Sequence, residues 1–221
     1  MRGKFITFEG GEGSGKSTHT AALAERLKAR GLDCVLTREP GGSPGAEIIR
    51  HIILSGIAKP LGAETETILF AAARDDHVRV TIDPALDAGK WVICDRFIDS
   101  TRVYQGALGK VDMKLIRSLE RVTVGATMPD LTFLLDVPAN IGLARAKTRR
   151  GTAAADRFES EAIEFHEELR RAFLVLAERE PKRIVVVDGR APRDVVADRI
   201  WAAVEERLLG VTTPMVEVAA P

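Results

Sequence analysis

The chain has 221 residues, 45% hydrophobic and 29% charged, enough for one α/β domain with a full core and short for two independent ones. Lysine plus arginine and aspartate plus glutamate balance at 32 each, so no global field favours a polyanion and no nucleic-acid partner is expected. No apolar stretch approaches the ~20 residues of a membrane span, and no signal-like n-region and h-region precede the first strand pattern, so the expected setting is the cytoplasm, away from membranes.

Lys4 to Glu9 reads as a buried strand, and Ser17 to Arg30 carries Ala21, Leu23, Ala24 and Leu27 at helical spacing, with Gly31 placed to end the helix. Between them, Gly10-Gly11-Glu12-Gly13-Ser14-Gly15-Lys16-Ser17 satisfies G-x-x-x-x-G-K-S/T in the strand-to-helix context that gives the pattern its meaning. Glycines let successive amide N–H groups turn inward, and the helix N-terminus adds partial positive charge, so triphosphate oxygens meet donors already aimed at them. Lys16 then reaches the β and γ phosphates of ATP and the Ser17 hydroxyl ligates Mg2+; Thr18 completes the expected ATP-binding set. A P-loop alone does not separate a kinase from a GTPase, a motor or a nucleotide-gated binding module. A guanine-reading Asn-Lys-x-Asp element is impossible, because Asn140 is the single asparagine and Ile141 follows it.

Further apolar runs, Cys34 to Thr37, Trp91 to Cys94, Leu131 to Leu135 and Ile184 to Val187, alternate with long helical patterns. That alternation predicts an α/β three-layer sandwich of the P-loop kinase kind, a parallel five-stranded sheet with helices on both faces. Glu9, Arg38, Asp95 and Asp136 fall just beyond apolar runs, along the carboxyl edge where ligands bind. Cys34 and Cys94, inside apolar runs, read as small buried hydrophobes rather than half-cystines. His19, His51, His77 and His166 show no metal-ligand spacing. The basic, small-residue stretch Arg145 to Arg157 interrupts helical periodicity and reads as a short mobile lid within a single domain over 1–210, and 211–221 reads as a loosely held tail.

Four segments besides the generic P-loop pattern resemble thymidylate kinase in order and spacing: Phe8-Glu9-Gly10 with Glu12, Thr37-Arg38-Glu39-Pro40-Gly41-Gly42, Leu69-Phe70-Ala71-Ala72-Ala73-Arg74, and Asp95-Arg96-Phe97 through Tyr104-Gln105-Gly106. The resemblance implies phosphorylation of dTMP to dTDP with ATP and Mg2+, in a homodimer whose interface helices lie away from the nucleotide sites. Another nucleoside monophosphate or deoxynucleoside kinase is the alternative, and a nucleotide-gated binding module a more distant one. By resemblance, Arg96 clamps the acceptor phosphate with help from Arg50, and Asp95 organises Arg96 and the Mg2+ water shell. Ser17, Glu9 and Asp95 form the expected metal set. Phe70 stacks on the base, Arg74 donates to its O4, Thr101 and Gln105 read the same edge, and Tyr104 lies near the sugar. Arg38 and Pro40 complete the acceptor site, a cis Glu39–Pro40 peptide is expected, and Glu12 is placed near the 3′-hydroxyl. One type of thymidylate kinase carries a catalytic arginine in the P-loop, but Gly13 occupies that position here, so the lid must supply it. Aligning backward from Gly151 selects Arg150 and aligning forward along the preceding helix selects Arg149; Arg150 is preferred. Arg145 is a candidate for stacking on adenine.

Overall fold

A computed structural model describes residues 2–151, 158 and 160–210; the 211–221 tail and lid residues 152–157, including Arg157, lie outside the described residues. Five parallel strands, β1 (Phe5–Glu9), β2 (Cys34–Arg38), β3 (Trp91–Asp95), β4 (Leu131–Asp136) and β5 (Ile184–Asp188), pair in the order β2-β3-β1-β4-β5. β2 to β5 extend to include the polar residue at their carboxyl ends, as Glu9 does for β1, so those groups line one edge of the sheet.

Strand residues alternate between two covered faces because successive side chains point to opposite sides. Ile6, Phe8, Ile93, Leu131, Phe133 and Leu135 pack on one face under α1 (Lys16–Ala29) and α9 (Arg193–Val204), through Leu23, Leu27, Val196 and Ile200. On the other face Phe5, Val92 and Cys94 meet Val78 and Ile82, of the π-helical segment Val78–Ile82 that continues α3 (Gly62–His77), and Leu86 of α4 (Asp83–Asp87). Farther along that face Leu134 and Ile184 meet Leu169 and Phe173 of α8 (Ile163–Arg179). Helices α2 (Pro44–Leu54) and α6 (Met113–Thr123) pack against α3. Cys94 is buried as expected, whereas Cys34, on edge strand β2, is only half-buried; both are free thiols.

Between the two apolar patches of the second face runs a buried polar seam. The Thr7 and Thr132 hydroxyls share a hydrogen bond of 2.7 Å, Arg183 Nη1 donates to Thr132 Oγ1 at 2.7 Å, and the Arg183 guanidinium grips both oxygens of Asp99 at 2.7 and 2.8 Å. Asp99, 1% exposed, sits in the short helix α5 (Ile98–Thr101) and also accepts from Arg102 Nη1 at 3.3 Å. The seam therefore ties the sheet to the segment just after β3, which carries site residues.

The described part of the expected lid, Arg145 to Arg150, departs from expectation. α7 (Ala139–Arg150) continues unbroken through Arg145, Lys147, Arg149 and Arg150, and Gly151, at φ 63°, is its C-cap. Its basic residues lie on a largely exposed helical surface, and solvation of such a face breaks the apolar pattern without breaking the helix. Asp99→Asn should leave Arg183, mostly buried, with Glu180 as its remaining counter-charge, and is expected to cost about 1.5–3 kcal/mol in urea unfolding; a change under about 0.5 kcal/mol, the range of ordinary surface substitutions, would show that the seam is not structural.

Candidate active site

A cavity of about 340 Å³ opens at the carboxyl edge of the sheet, within the range of small-molecule sites. One wall is the phosphate loop, with Glu12 to Thr18 all reaching it. Gly10 and Gly11 stand behind that wall; Lys16 Nζ donates to their carbonyls at 3.1 and 2.9 Å and lies 3.4 Å from Ser14 Oγ. Burial, together with the Arg96 charge, pulls the Lys16 ammonium below its usual range, against the opposing pull of Glu12, Asp95 and Glu9. An anion in the loop would restore the balance of charge.

The second wall comes from the segment after β3. Asp95 shares the α1 face of the sheet with Trp91 and Ile93, and its Oδ2 accepts from Ser17 Oγ at 2.7 Å. Arg96 has a left-handed backbone, φ 69°, a conformation that costs a non-glycine residue about 1 kcal/mol. Its guanidinium donates to Glu12 Oε1 at 2.6 Å and Ser100 Oγ at 3.3 Å, and lies 5.3 Å from the Tyr104 ring centroid. Burial pushes the Glu12 carboxyl upward, but Arg96, Lys16, Arg149 and His166 outweigh it, so the group is held below its ordinary range as an anion. Here Glu12 is the partner of Arg96.

Glu9 stands apart from Ser17 and Asp95, the other two residues of the expected metal set. It falls on the opposite face from α1, with Phe5 and Thr7, is 1% exposed and does not line the cavity. Its carboxylate accepts from Phe97 N at 2.9 Å, Ser100 N at 3.1 Å and Ser100 Oγ at 2.7 Å, holding the turn that follows Arg96. Burial, then the neighbouring Asp99, pushes its pKa up to about 7, against the opposing Arg96 charge and those hydrogen bonds. Among the described residues no cluster of three or more His, Cys, Asp or Glu could cage a metal. Ser17 and Asp95 offer a hydroxyl and a carboxylate side by side; these hard oxygen donors fit a Mg2+ ion that takes its remaining ligands from phosphates and water.

The third wall reads as a base site. Phe70, half-buried, and Arg74, 3% exposed, stand one turn apart on α3 and both line the cavity with Thr101, Tyr104 and Gln105. Arg74 donates to Glu39 Oε2 through Nε at 2.8 Å, and through Nη2 to Phe97 O at 3.2 Å and Thr101 Oγ1 at 3.1 Å. The Glu39–Pro40 peptide is cis, Arg50 Nη1 donates to Pro40 O at 2.5 Å, and Arg38 Nη2 donates to Glu47 Oε1 at 2.9 Å. Arg38, Pro40 and Arg50 all reach the cavity. The Tyr104 ring meets Phe158 edge-on at 5.3 Å, and Phe158 lines the cavity as well.

From α7, Arg149 lines the cavity and Arg150 does not. Arg145 donates to Gly189 O at 2.9 Å, fastening α7 to the turn after β5. A Cβ on Gly13 would lie 2.0 Å from Gly142 O, and one on Gly142 would lie 2.3 Å from Glu12 O, so loop and helix touch backbone to backbone. Sequence reasoning assigned no role to Glu39, Glu66, Ser100, Gly142 or Phe158. The spacing Glu66, Phe70, Arg74 is i, i+4, i+8 along one helix face, a signal that could have drawn in Glu66.

Because the Glu9 carboxyl is raised from about 4.5 in the unfolded chain to about 7 when folded, the folded state binds more protons between those values, and stability falls as pH rises through that window by on the order of 3 kcal/mol. Glu9→Gln keeps an acceptor for the two amides and removes the titration. Its stability relative to wild type should therefore rise between pH 4.5 and pH 8 in denaturant melts; an equal difference at both ends would rule out Glu9 as the source of the slope.

The family model for thymidylate kinase matches residues 8–200. The chain is 61% identical over 209 residues to a thymidylate kinase of Nitrobacter winogradskyi, covering 95% of this chain and 91% of that protein. To a thymidylate kinase of Bradyrhizobium diazoefficiens it is 57% identical over 217 residues, covering 98% and 95%. The crystal structure of thymidylate kinase from Ehrlichia chaffeensis superposes with a TM-score of 0.74 at 32% identity, covering 92% of this chain and all of that one.

Proposed function

This chain belongs to the thymidylate kinase family, and from that premise we propose how its cleft transfers the γ-phosphoryl group of ATP to the phosphate of dTMP, giving ADP and dTDP. The observation that carries the reading is one cavity lined both by Lys16 and Ser17 of the phosphate loop and by Arg96, Phe70 and Arg74, so that a donor and an acceptor face each other. An oxygen of the dTMP phosphate attacks the γ phosphorus while the bond from that phosphorus to the β–γ bridging oxygen breaks, and that electron pair leaves with ADP. The acceptor phosphate is already a nucleophile, so positioning and charge stabilisation supply the catalysis.

Arg96 holds the acceptor phosphate. Its guanidinium is aimed by Glu12, Ser100 and Tyr104 and needs no rearrangement at the moment of reaction. Lys16 spans the β and γ phosphates of ATP, replacing the backbone carbonyls it now contacts. Ser17 and Asp95 would hold Mg2+, which when bound neutralises phosphate charge. Arg149, on the cavity wall and acting on Glu12, is the lid-side arginine best placed to reach the transferring group, in preference to Arg150. Phe70 stacks on thymine, and Arg74 and Gln105 read its edge.

Two features support the assembly and setting. Ile48, Ile68, Val80 and Val122, between 48% and 79% exposed, lie on α2, α3, its continuation and α6, away from the cavity. α2 and α6 both pack against α3, so these exposed apolar residues lie on neighbouring elements, which fits a homodimer interface. The free thiols of Cys34 and Cys94 fit a reducing cytoplasm, and no helix among the described residues is long and apolar enough to cross a membrane.

Steady-state assays with ATP and Mg2+ should show dTMP converted to dTDP, with Arg149→Ala lowering kcat at least about a hundredfold and Arg150→Ala less than about tenfold. Near-normal turnover in both variants would remove the lid arginine from the mechanism, and no conversion of dTMP by the wild type would remove the function. Light scattering should give twice the chain mass, reduced to the chain mass by Ile68→Asp; a wild-type monomer would refute the dimer.

A further inference from the structure

The base-reading wall of the cavity rests on two buried carboxylates that no mechanistic step uses. Glu39, on the loop after β2, is 7% exposed, and Glu66, a helical turn before Phe70, is 5% exposed. Glu39 Oε2 takes the Arg74 Nε donor at 2.8 Å and lies 2.7 Å from Nη2. Its other oxygen lies 3.1 Å from His77 Nδ1, and His77 Nε2 lies 2.7 Å from Thr37 Oγ1. A Cβ on Gly42 would lie within 2.4 Å of both the Thr37 hydroxyl and the His77 ring, so the network is closed against displacement from that side. With Nε and Nη2 engaged, Arg74 retains Nη1 as the donor for the cavity it lines.

Gln105 Nε2 donates to Glu66 Oε1 at 3.4 Å, both side chains being buried. A carboxylate accepts and cannot donate, so the reversed amide would set two oxygens against each other. The order is therefore fixed by chemistry, and the Gln105 carbonyl is left for the cavity. We infer that Glu39 and Glu66 are positioning residues that fix the donor–acceptor order of the base pocket. The pocket then takes a pyrimidine whose carbonyl lies beside a ring N–H and rejects one whose amino group lies beside a bare ring nitrogen. Thymine and uracil offer the first edge and cytosine the second, which would oppose donor to donor at Arg74 and acceptor to acceptor at Gln105. This rests on the reading of the acceptor as dTMP.

The test is calorimetric binding of dTMP, dUMP and dCMP to the wild type, Glu66→Gln and Glu39→Gln, with kcat and KM for dTMP alongside. The amide introduced by Glu66→Gln can donate, so Gln105 is free to reverse. Binding of dTMP and dUMP should weaken about tenfold or more while dCMP binds unchanged or more tightly, with KM raised and kcat within about threefold of wild type. Glu39→Gln should weaken dTMP and dUMP binding with kcat retained; if it fails to fold, the near-isosteric Glu66→Gln decides alone. An equal loss for all three nucleotides, or an unchanged ratio of dTMP to dCMP affinity, overturns the inference while leaving the kinase reading intact. A wild type that does not discriminate dTMP from dCMP overturns the inference, and one that does not bind dTMP overturns the acceptor reading as well.

Discussion

A guanidinium that must stay charged while buried, that of Arg96, is the constraint around which the rest of the cleft is arranged. Its burial is tolerated because Glu12 supplies a counter-charge at 2.6 Å and the Tyr104 ring a polarisable face. The left-handed backbone of Arg96 is held from below, since Glu9 captures the amides of Phe97 and Ser100 immediately downstream. Asp99 anchors the same short segment to Arg183 and, through it, to Thr132 of β4. Side chains from two strands, two helical segments and two loops thus converge on the placement of one cation.

Which side of the sheet a carboxylate falls on decides what it does. Asp95 faces α1 and meets the Ser17 hydroxyl, whereas Glu9, on the neighbouring strand, points the other way and becomes structural. Both sit at the carboxyl edge, and proximity to that edge alone would make them equivalent. The alternation of the strand separates a residue that can face metal and phosphate from one that braces a turn.

The order of strands and helices was readable because buried parallel strands are short apolar runs and the phosphate loop has a fixed local grammar. The acceptor residues were readable only through their shared spacing with a family. What stayed hidden depends on tertiary proximity. The bond from Arg74 to Glu39 spans 35 positions and that from Gln105 to Glu66 spans 39, and nothing local marks either carboxylate as buried. The end of α7 was misjudged because a basic, solvated helical face and a loop look alike in composition. Which of Arg149 and Arg150 lines the cavity could be read only from the helix itself, since adjacent residues differ by about 100° around its axis and Arg149 alone of the two meets the cavity.

The close approach of Gly13 and Gly142 bears on how such an enzyme can change over evolutionary time. With 2.0 Å separating a Cβ at one from the carbonyl oxygen of the other, any side chain at position 13 would wedge α7 off the phosphate loop, and α7 is the element that carries Arg149. A chain of this kind cannot acquire an arginine in the loop first and dispense with the one on α7 afterwards. The first substitution would disable the existing arrangement before the new one worked. With the role proposed for Arg149, one backbone-to-backbone contact sets the two ways of supplying that positive charge against each other.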